Sequence, residues 1–156
     1  MSDVLARLRP SAPRRVFGTG VLALLGVLLA WLALTTDPAM GWRIALLAIS
    51  AAALWLAVRL WQATAGAVEL TAEGLRDTDG TPIAPLAAIE GLDRGAFAFK
   101  PSNGFLVRLD TPGPRAWAPG LWWRLGRRVG IGGVTSASEA KFMAELLSGM
   151  VADRRE

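Results

Sequence analysis

The chain has 156 residues, with seventeen basic and thirteen acidic side chains, a net charge of +4, and no Cys, His or Tyr. Without Cys and His there can be no disulfide, thiolate chemistry, zinc site built on those ligands or His-based triad. The charge excess is local, six basic against two acidic side chains in residues 1–65 and eleven of each in residues 66–156, so the high pI does not mark a nucleic-acid-binding domain.

Residues 1–15 read as a basic segment carrying Arg7, Arg9, Arg14 and Arg15. The next 21 residues, from Val16, are uncharged, and Val16 to Leu34 holds eleven Val, Leu or Phe residues. Each such side chain favours insertion by roughly 0.3–0.6 kcal/mol near a helix centre. Nineteen helical residues reach about 28 Å, close to the hydrocarbon thickness of a bilayer. This predicts a membrane span over about 16–35. No small-x-small motif precedes a polar mature start, which argues against a cleaved signal peptide.

A second span is predicted over 38–62. Asp37 is placed to cap it, and Pro38 suits a first helical position, where its missing N–H costs nothing. The uncharged centre Ile44–Val58 is flanked by Arg43 and Arg59, with Trp42 and Trp61 beside them as interfacial tryptophans. The short link Thr35–Asp37 makes the pair an antiparallel hairpin. Basic residues cluster on the outer flanks, so the positive-inside rule places both termini in the cytoplasm. Small residues recur at four-residue spacing (Gly26 with Ala30, Ala48 with Ala52, Ala53 with Ala57), which permits close helix approach within the hairpin or between copies of the chain.

After a linker at 63–66 the pattern becomes β-like. Ala67–Thr71 alternates, Leu75–Asp77 and Pro82–Ala84 flank an Asp-Gly turn at Thr78–Thr81, and Ile89–Arg94 and Ala96–Phe99 read as further strand. Ser102–Gly104 reads as a turn and Phe105–Asp110 alternates. Thr111–Pro114 reads as a turn before a short strand at Arg115–Ala118. Ser136 and Glu139 match a capping box, followed by an apolar stripe of Phe142, Met143, Leu146, Leu147 and Met150. A polar tail, 151–156, ends the chain. The predicted fold class is a membrane α-hairpin plus a small, mainly β, α+β domain at 67–150 with a C-terminal amphipathic helix.

Two N-terminal spans, then "VELTAEGLRDTDGTPIAPLAAIEGL" and "FAFKPSNGFLVRLD", resemble the bacterial PH-like membrane proteins. The matching positions are Gly74, Asp79-Gly80, Pro85 and Ile89, within residues 66–150. The resemblance implies a curved seven-stranded antiparallel sheet capped by the C-terminal helix, in a bacterial cytoplasmic membrane, and transfers no catalytic residue. The first hairpin carries Arg76 beside Asp77 and Asp79 in place of a basic cluster, so inositide binding is not implied.

The segment Trp117–Gly133 holds three Trp, three Arg and five Gly. Trp117, Trp122, Trp123, Arg124, Arg127 and Arg128 are the candidate membrane or partner contacts, with indoles suited to the headgroup layer and arginines to anionic phosphates. Buried Trp and solvated Arg is the plain alternative. Gly130–Gly133 lacks the lysine of a phosphate-binding loop and reads as a loop. Lys100–Gly104 is explained by turn chemistry, and the pairs Asp77/Asp79 and Glu90/Asp93 read as solvated acids. The expected function is a non-enzymatic membrane-anchored module that binds a partner protein or anionic lipid headgroups. The alternative is an oligomeric accessory or assembly subunit acting through its spans. No cofactor, metal or nucleic acid is expected.

Overall fold

The computed structural model describes residues 3–93 and 101–155. Strand β1 spans Val4–Leu8 and is followed by two long helices, α1 at Ala12–Thr35 and α2 at Met40–Ala63. Strands β2 (Val68–Thr71), β3 (Gly74–Asp77) and β4 (Pro82–Pro85) come next, then a single 3₁₀ turn and β5 (Ile89–Asp93). The long strands β6 (Phe105–Ala118) and β7 (Trp122–Ile131) lead to helix α3 (Ala137–Asp153). Of the expected strands, Ala96–Phe99 lies outside the described residues, as do Arg94 and Lys100.

Helices α1 and α2 are each long and apolar enough to cross a membrane. They pack as an antiparallel pair along a seam of small residues: Gly26 and Ala33 of α1, and Ser50, Ala53 and Ala57 of α2, are buried. The Ser50 hydroxyl donates to the Gly26 carbonyl at 2.7 Å. Of the small-residue pairs, Ala53/Ala57 lies in this seam, Ala30 is half-buried beside it, and Ala48/Ala52 faces outward. The first helix begins four residues earlier than its uncharged run, because Ser11 and Pro13 give it an N-terminus and its first turn holds Arg14, which is exposed, and Arg15, which is half-buried against Trp61. The second begins at Met40. Asp37 does not cap it; its carboxylate instead accepts from Arg43 at 2.6 Å.

The hairpin is an insertion between two hydrogen-bonded neighbours. β1 pairs antiparallel with β2, Leu8 opposite Val68 and Arg7 opposite Glu69. The segment read as a basic tail thus supplies the outer strand of a sheet ordered β1-β2-β3-β4. Alternation explains the pairing: Ala6 and Leu8 point inward and are buried, whereas Leu5 and Arg7 point out. A second sheet is ordered β5-β6-β7, and all pairings in both sheets are antiparallel. The β3–β4 connection is the Asp-Gly turn, with Gly80 at φ +90.

The predicted turn at Thr111–Pro114 is instead part of β6. Its pairing with β7 slips between Arg108 and Gly113 and again before Ala116. Pro112 and Pro114 cannot donate to a ladder, so they sit where pairing is broken by bulges. Gly126, at φ +59, supplies the matching kink in β7. The ribbon consequently folds back on itself: Gly132 N–H donates to Leu121 O at 2.8 Å and Val134 N–H to Gly120 O at 3.0 Å, joining its base to its tip.

The core lies between the sheets, with Leu8, Leu70, Leu75, Ile83, Val107, Val129 and Ile131 fully or almost fully buried. Helix α3 closes it through Ala140, Met143, Ala144, Leu147 and Val151. Of the predicted stripe, Met143 and Leu147 are buried, Leu146 and Met150 are half-buried, and Phe142 is exposed. The capping box is not formed. Glu139 accepts from the backbone N–H of Arg9 at 2.8 Å, because the end of β1 arrives beside the start of α3. The expected polar tail begins as the last turn of α3, and Arg154 beyond it donates to the carbonyl of Ile89 at 2.7 Å.

Candidate functional site

The end of the domain next to the hairpin is built from two turns and the helix bases. The tip of the β6–β7 ribbon sits against the end of α2: a Cβ on Gly120 would lie 2.5 Å from Leu60 and 3.3 Å from Thr64. The other helix base is tied down as well. Ser11 N–H donates to Val134 O at 2.7 Å, and Arg14 donates to Thr135 O at 2.8 Å. Arg15 stacks on Trp61 of α2, 3.8 Å from the ring centroid, and donates to the Trp61 carbonyl at 2.8 Å. The guanidinium holds the two helix bases together through one planar contact.

The six candidate residues do not share one environment. Trp122 is 5% exposed and donates its indole N–H to Asp77 at 3.0 Å, which fixes the ribbon tip to the β3–β4 turn. Trp117, opposite Trp123 on the neighbouring strand, is 51% exposed. Trp123 is half-buried and covers Gly130, where a Cβ would come within 2.3 Å of its ring. Arg124 is engaged by backbone: it donates to Pro114 O at 2.7 Å and to Ile83 O at 2.9 Å. Arg127 and Arg128 are exposed on β7, directly after the kink at Gly126, with Arg128 opposite Arg108 of β6.

A cavity of about 320 Å³ opens at the hairpin-proximal end, lined by Arg59 and Gln62 of α2, Asp77 and Asp79 of the β3–β4 turn, and Trp117 and Trp122. Asp77 Oδ1 accepts from Thr78 N–H at 2.7 Å, and Asp79 Oδ1 accepts from Thr81 N–H at 2.8 Å. That backbone hydrogen bond from Thr81 holds the Asp79 carboxyl below the usual range, so it is ionised at neutral pH. Sequence reasoning missed this grouping. Arg59 reads as a helix-end arginine and Asp79 as a turn residue, and only the docking of the turn on the helix base brings them together.

A second charged group is a ladder across three strands: Arg7 of β1, Glu69 of β2 and Arg76 of β3 lie in register. Arg7 bonds one carboxylate oxygen of Glu69, and Arg76 donates to the other at 3.1 Å. Burial raises the Glu69 pKa, but the two arginine hydrogen bonds and their charges outweigh it and hold the carboxyl below its ordinary range. The glycine run is closed to anions. Gly132 and Gly133 have their N–H groups committed to Leu121 O and Ser102 O, both at 2.8 Å. A larger cavity, about 390 Å³, lies between the start of β6 and α3, lined among others by Asp93, Asn103, Phe105, Ala140 and Lys141.

Comparison with protein-family models, with curated proteins and with solved structures found no match.

Proposed function

We propose that this chain is a non-enzymatic membrane-anchored module. Its two helices span a bacterial cytoplasmic membrane, both termini lie in the cytoplasm, and a PH-like domain is held against the inner surface to engage lipid headgroup phosphates. The observation that carries this reading is the insertion of the helix pair between β1 and β2. Both legs enter the domain directly, so the domain stays beside the bilayer whatever else it binds. Such tethering raises the effective concentration of headgroups at its near face to the millimolar range or above, about the regime of short linkers.

Further support comes from the helix ends. From Trp42 to Trp61 α2 rises about 28 Å, one hydrocarbon thickness, so both indoles reach interfaces. Arg14, Arg15 and Arg59 stand at the domain end of the pair, against Arg43 alone at the tip, and the excess of arginine marks the cytoplasmic side. Near that end Trp117 stands exposed, placed as an interfacial indole would be. The PH-like assignment is supported by the strands among the described residues, four in one antiparallel sheet and three in the other, with a helix closing the core. The first strand here precedes the membrane hairpin.

Because the chain has no cysteine, single substitutions report topology cleanly. Thr36→Cys at the helix tip should react with a membrane-impermeant maleimide in intact cells. Gly149→Cys on the outer side of α3 should react only after lysis. Labelling of Gly149→Cys in intact cells would overturn the orientation, and release of the protein by carbonate washing would overturn the spans.

A further inference from the structure

The cavity at the base of α2 holds charges of both signs that do not satisfy each other. Arg59 has no carboxylate partner among the described residues, and its guanidinium carbon lies 5.9 Å from the centroid of the Trp55 ring. Asp77 and Asp79 likewise have no basic partner among them, although both line the same cavity as Arg59. Each carboxylate uses its known hydrogen bonds on neutral N–H groups, from Thr78 and Trp122 to Asp77 and from Thr81 to Asp79. Lone pairs remain on both carboxylates. Opposite charges that share a cavity without pairing leave it complementary to a zwitterion.

The order of the charges along the membrane normal narrows the class. Arg59 lies one turn before the end of α2, on the hairpin side, while the aspartates belong to the turn on the domain side. A phospholipid presents its phosphate nearest the glycerol and its amine further out. The cation of the cavity therefore faces the level of the phosphate, and the carboxylates face the level of the amine. Trp117 adds an indole at the cavity wall. Trp122 also lines the wall but is 5% exposed and gives its N–H to Asp77; quaternary ammonium groups are typically held in cages of several aromatic faces, whereas one exposed indole beside two carboxylates suits a primary ammonium with three N–H donors.

Building on the membrane reading above, we propose that the cavity between Arg59, Asp77, Asp79 and Trp117 is a headgroup site for a phosphoethanolamine lipid, with Arg59 on the phosphate and the two aspartates on the ammonium. The site gives the anchored domain a preferred lipid and fixes its rotation about the helix pair, because the ligand touches helix and domain at once.

The test uses the full chain in dodecyl maltoside, titrated with dioctanoyl phosphatidylethanolamine, phosphatidylcholine or phosphatidylglycerol, with one-to-one complexes read by native mass spectrometry. The ethanolamine lipid should bind about tenfold more tightly than the other two, the effect of one hydrogen bond between charged partners. Arg59→Gln and Asp79→Asn should each lower that affinity about tenfold, while Lys141→Gln, exposed on α3 and not part of the cavity lining, should leave it unchanged. Asp79→Asn keeps a side-chain oxygen for Thr81 N–H, so the turn survives. Equal binding of the three lipids by the wild type overturns the site, whatever the variants do, and so does preference for phosphatidylglycerol or retention of ethanolamine binding in both variants. The cysteine topology readout is independent of headgroup. A chain with the expected topology but no amine preference loses this site alone, whereas external labelling of Gly149→Cys removes the membrane reading on which it rests.

Discussion

Leu8→Ala tests whether the residues before the first helix belong to the domain. Leu8 is 0% exposed and packs in the core opposite Val68. Truncation removes three carbons, worth about 2.4 kcal/mol at roughly 0.8 kcal/mol per buried methylene. The cavity left behind adds to this, for a total of about 3 kcal/mol, near the lower end for buried Leu→Ala because β1 is an edge strand and can relax. The internal control is Leu5→Ala on the same strand, 48% exposed, which should cost under about 0.5 kcal/mol. The assay is urea unfolding of the full chain in detergent, followed by near-ultraviolet circular dichroism, to which the packed Trp122 contributes. Equal midpoints for the two variants would refute the placement of β1 in the core and return residues 4–8 to the status of a tail.

Glu69→Gln should lower stability at neutral pH by about 1 kcal/mol, since both arginine partners are partly exposed and screened. Its sharper signature is in acid. The folded carboxyl titrates below its ordinary value of 4.5, so its contribution is complete above that pH and is lost as pH falls through the folded pKa. The wild type should therefore lose stability more steeply than the variant below about pH 4.5 in acid-dependent urea titrations. Trp122→Phe removes the indole donor to Asp77 and should cost about 1–2 kcal/mol in the same urea assay. Ser50→Ala should weaken the helix pair by only about 0.6 kcal/mol, the mean for such hydrogen bonds in bilayers. Gly26→Val should do more, because a Cβ there meets Leu54 Cγ at 2.6 Å; dodecyl sulfate unfolding in mixed micelles ranks the two.

The helix pair was legible because its signal is local: length, apolarity and flanking arginines are properties of neighbouring residues. The Asp-Gly turn and strands β2 to β4 were legible for the same reason. What the sequence hid is long-range. Nothing in Val4–Leu8 distinguishes a short apolar stretch in a basic tail from a strand whose partner lies sixty residues on, across the helices. Glu139 showed the spacing of a capping box, yet its carboxylate serves Arg9, because tertiary proximity outweighed a local pattern worth about 1 kcal/mol. Thr111–Pro114 has turn composition, but two prolines are equally at home in a bulged strand. The Trp/Arg segment was recognisable as unusual. Its sorting into a core indole, a backbone-bound arginine and exposed groups depends on the fold-back at Gly126, which a single glycine does not announce.

The insertion of the helix pair between paired strands makes a last, separable prediction. The packed helices bring the chain out and back side by side, about 8–10 Å apart at their axes, so that β1 and β2 can pair across them. Any connection that matches this separation should serve the domain equally well. Replacing residues 12–63 by six Gly/Ser residues, which reach up to about 20 Å, should give a soluble, monomeric protein that keeps the β1–β2 ladder, since the core of the domain contains no side chain from α1 or α2. A fragment beginning at residue 66 lacks Arg7 and Leu8 and bares one edge of β2, a row of unpaired backbone groups that invites association; it should aggregate or unfold. Size-exclusion chromatography separates the outcomes. If the linked protein aggregates like the fragment, the helices contribute to folding beyond joining two strands. If it is monomeric, Leu8→Ala within it should again cost about 3 kcal/mol, and the domain is then a folded unit interrupted by its own helix pair.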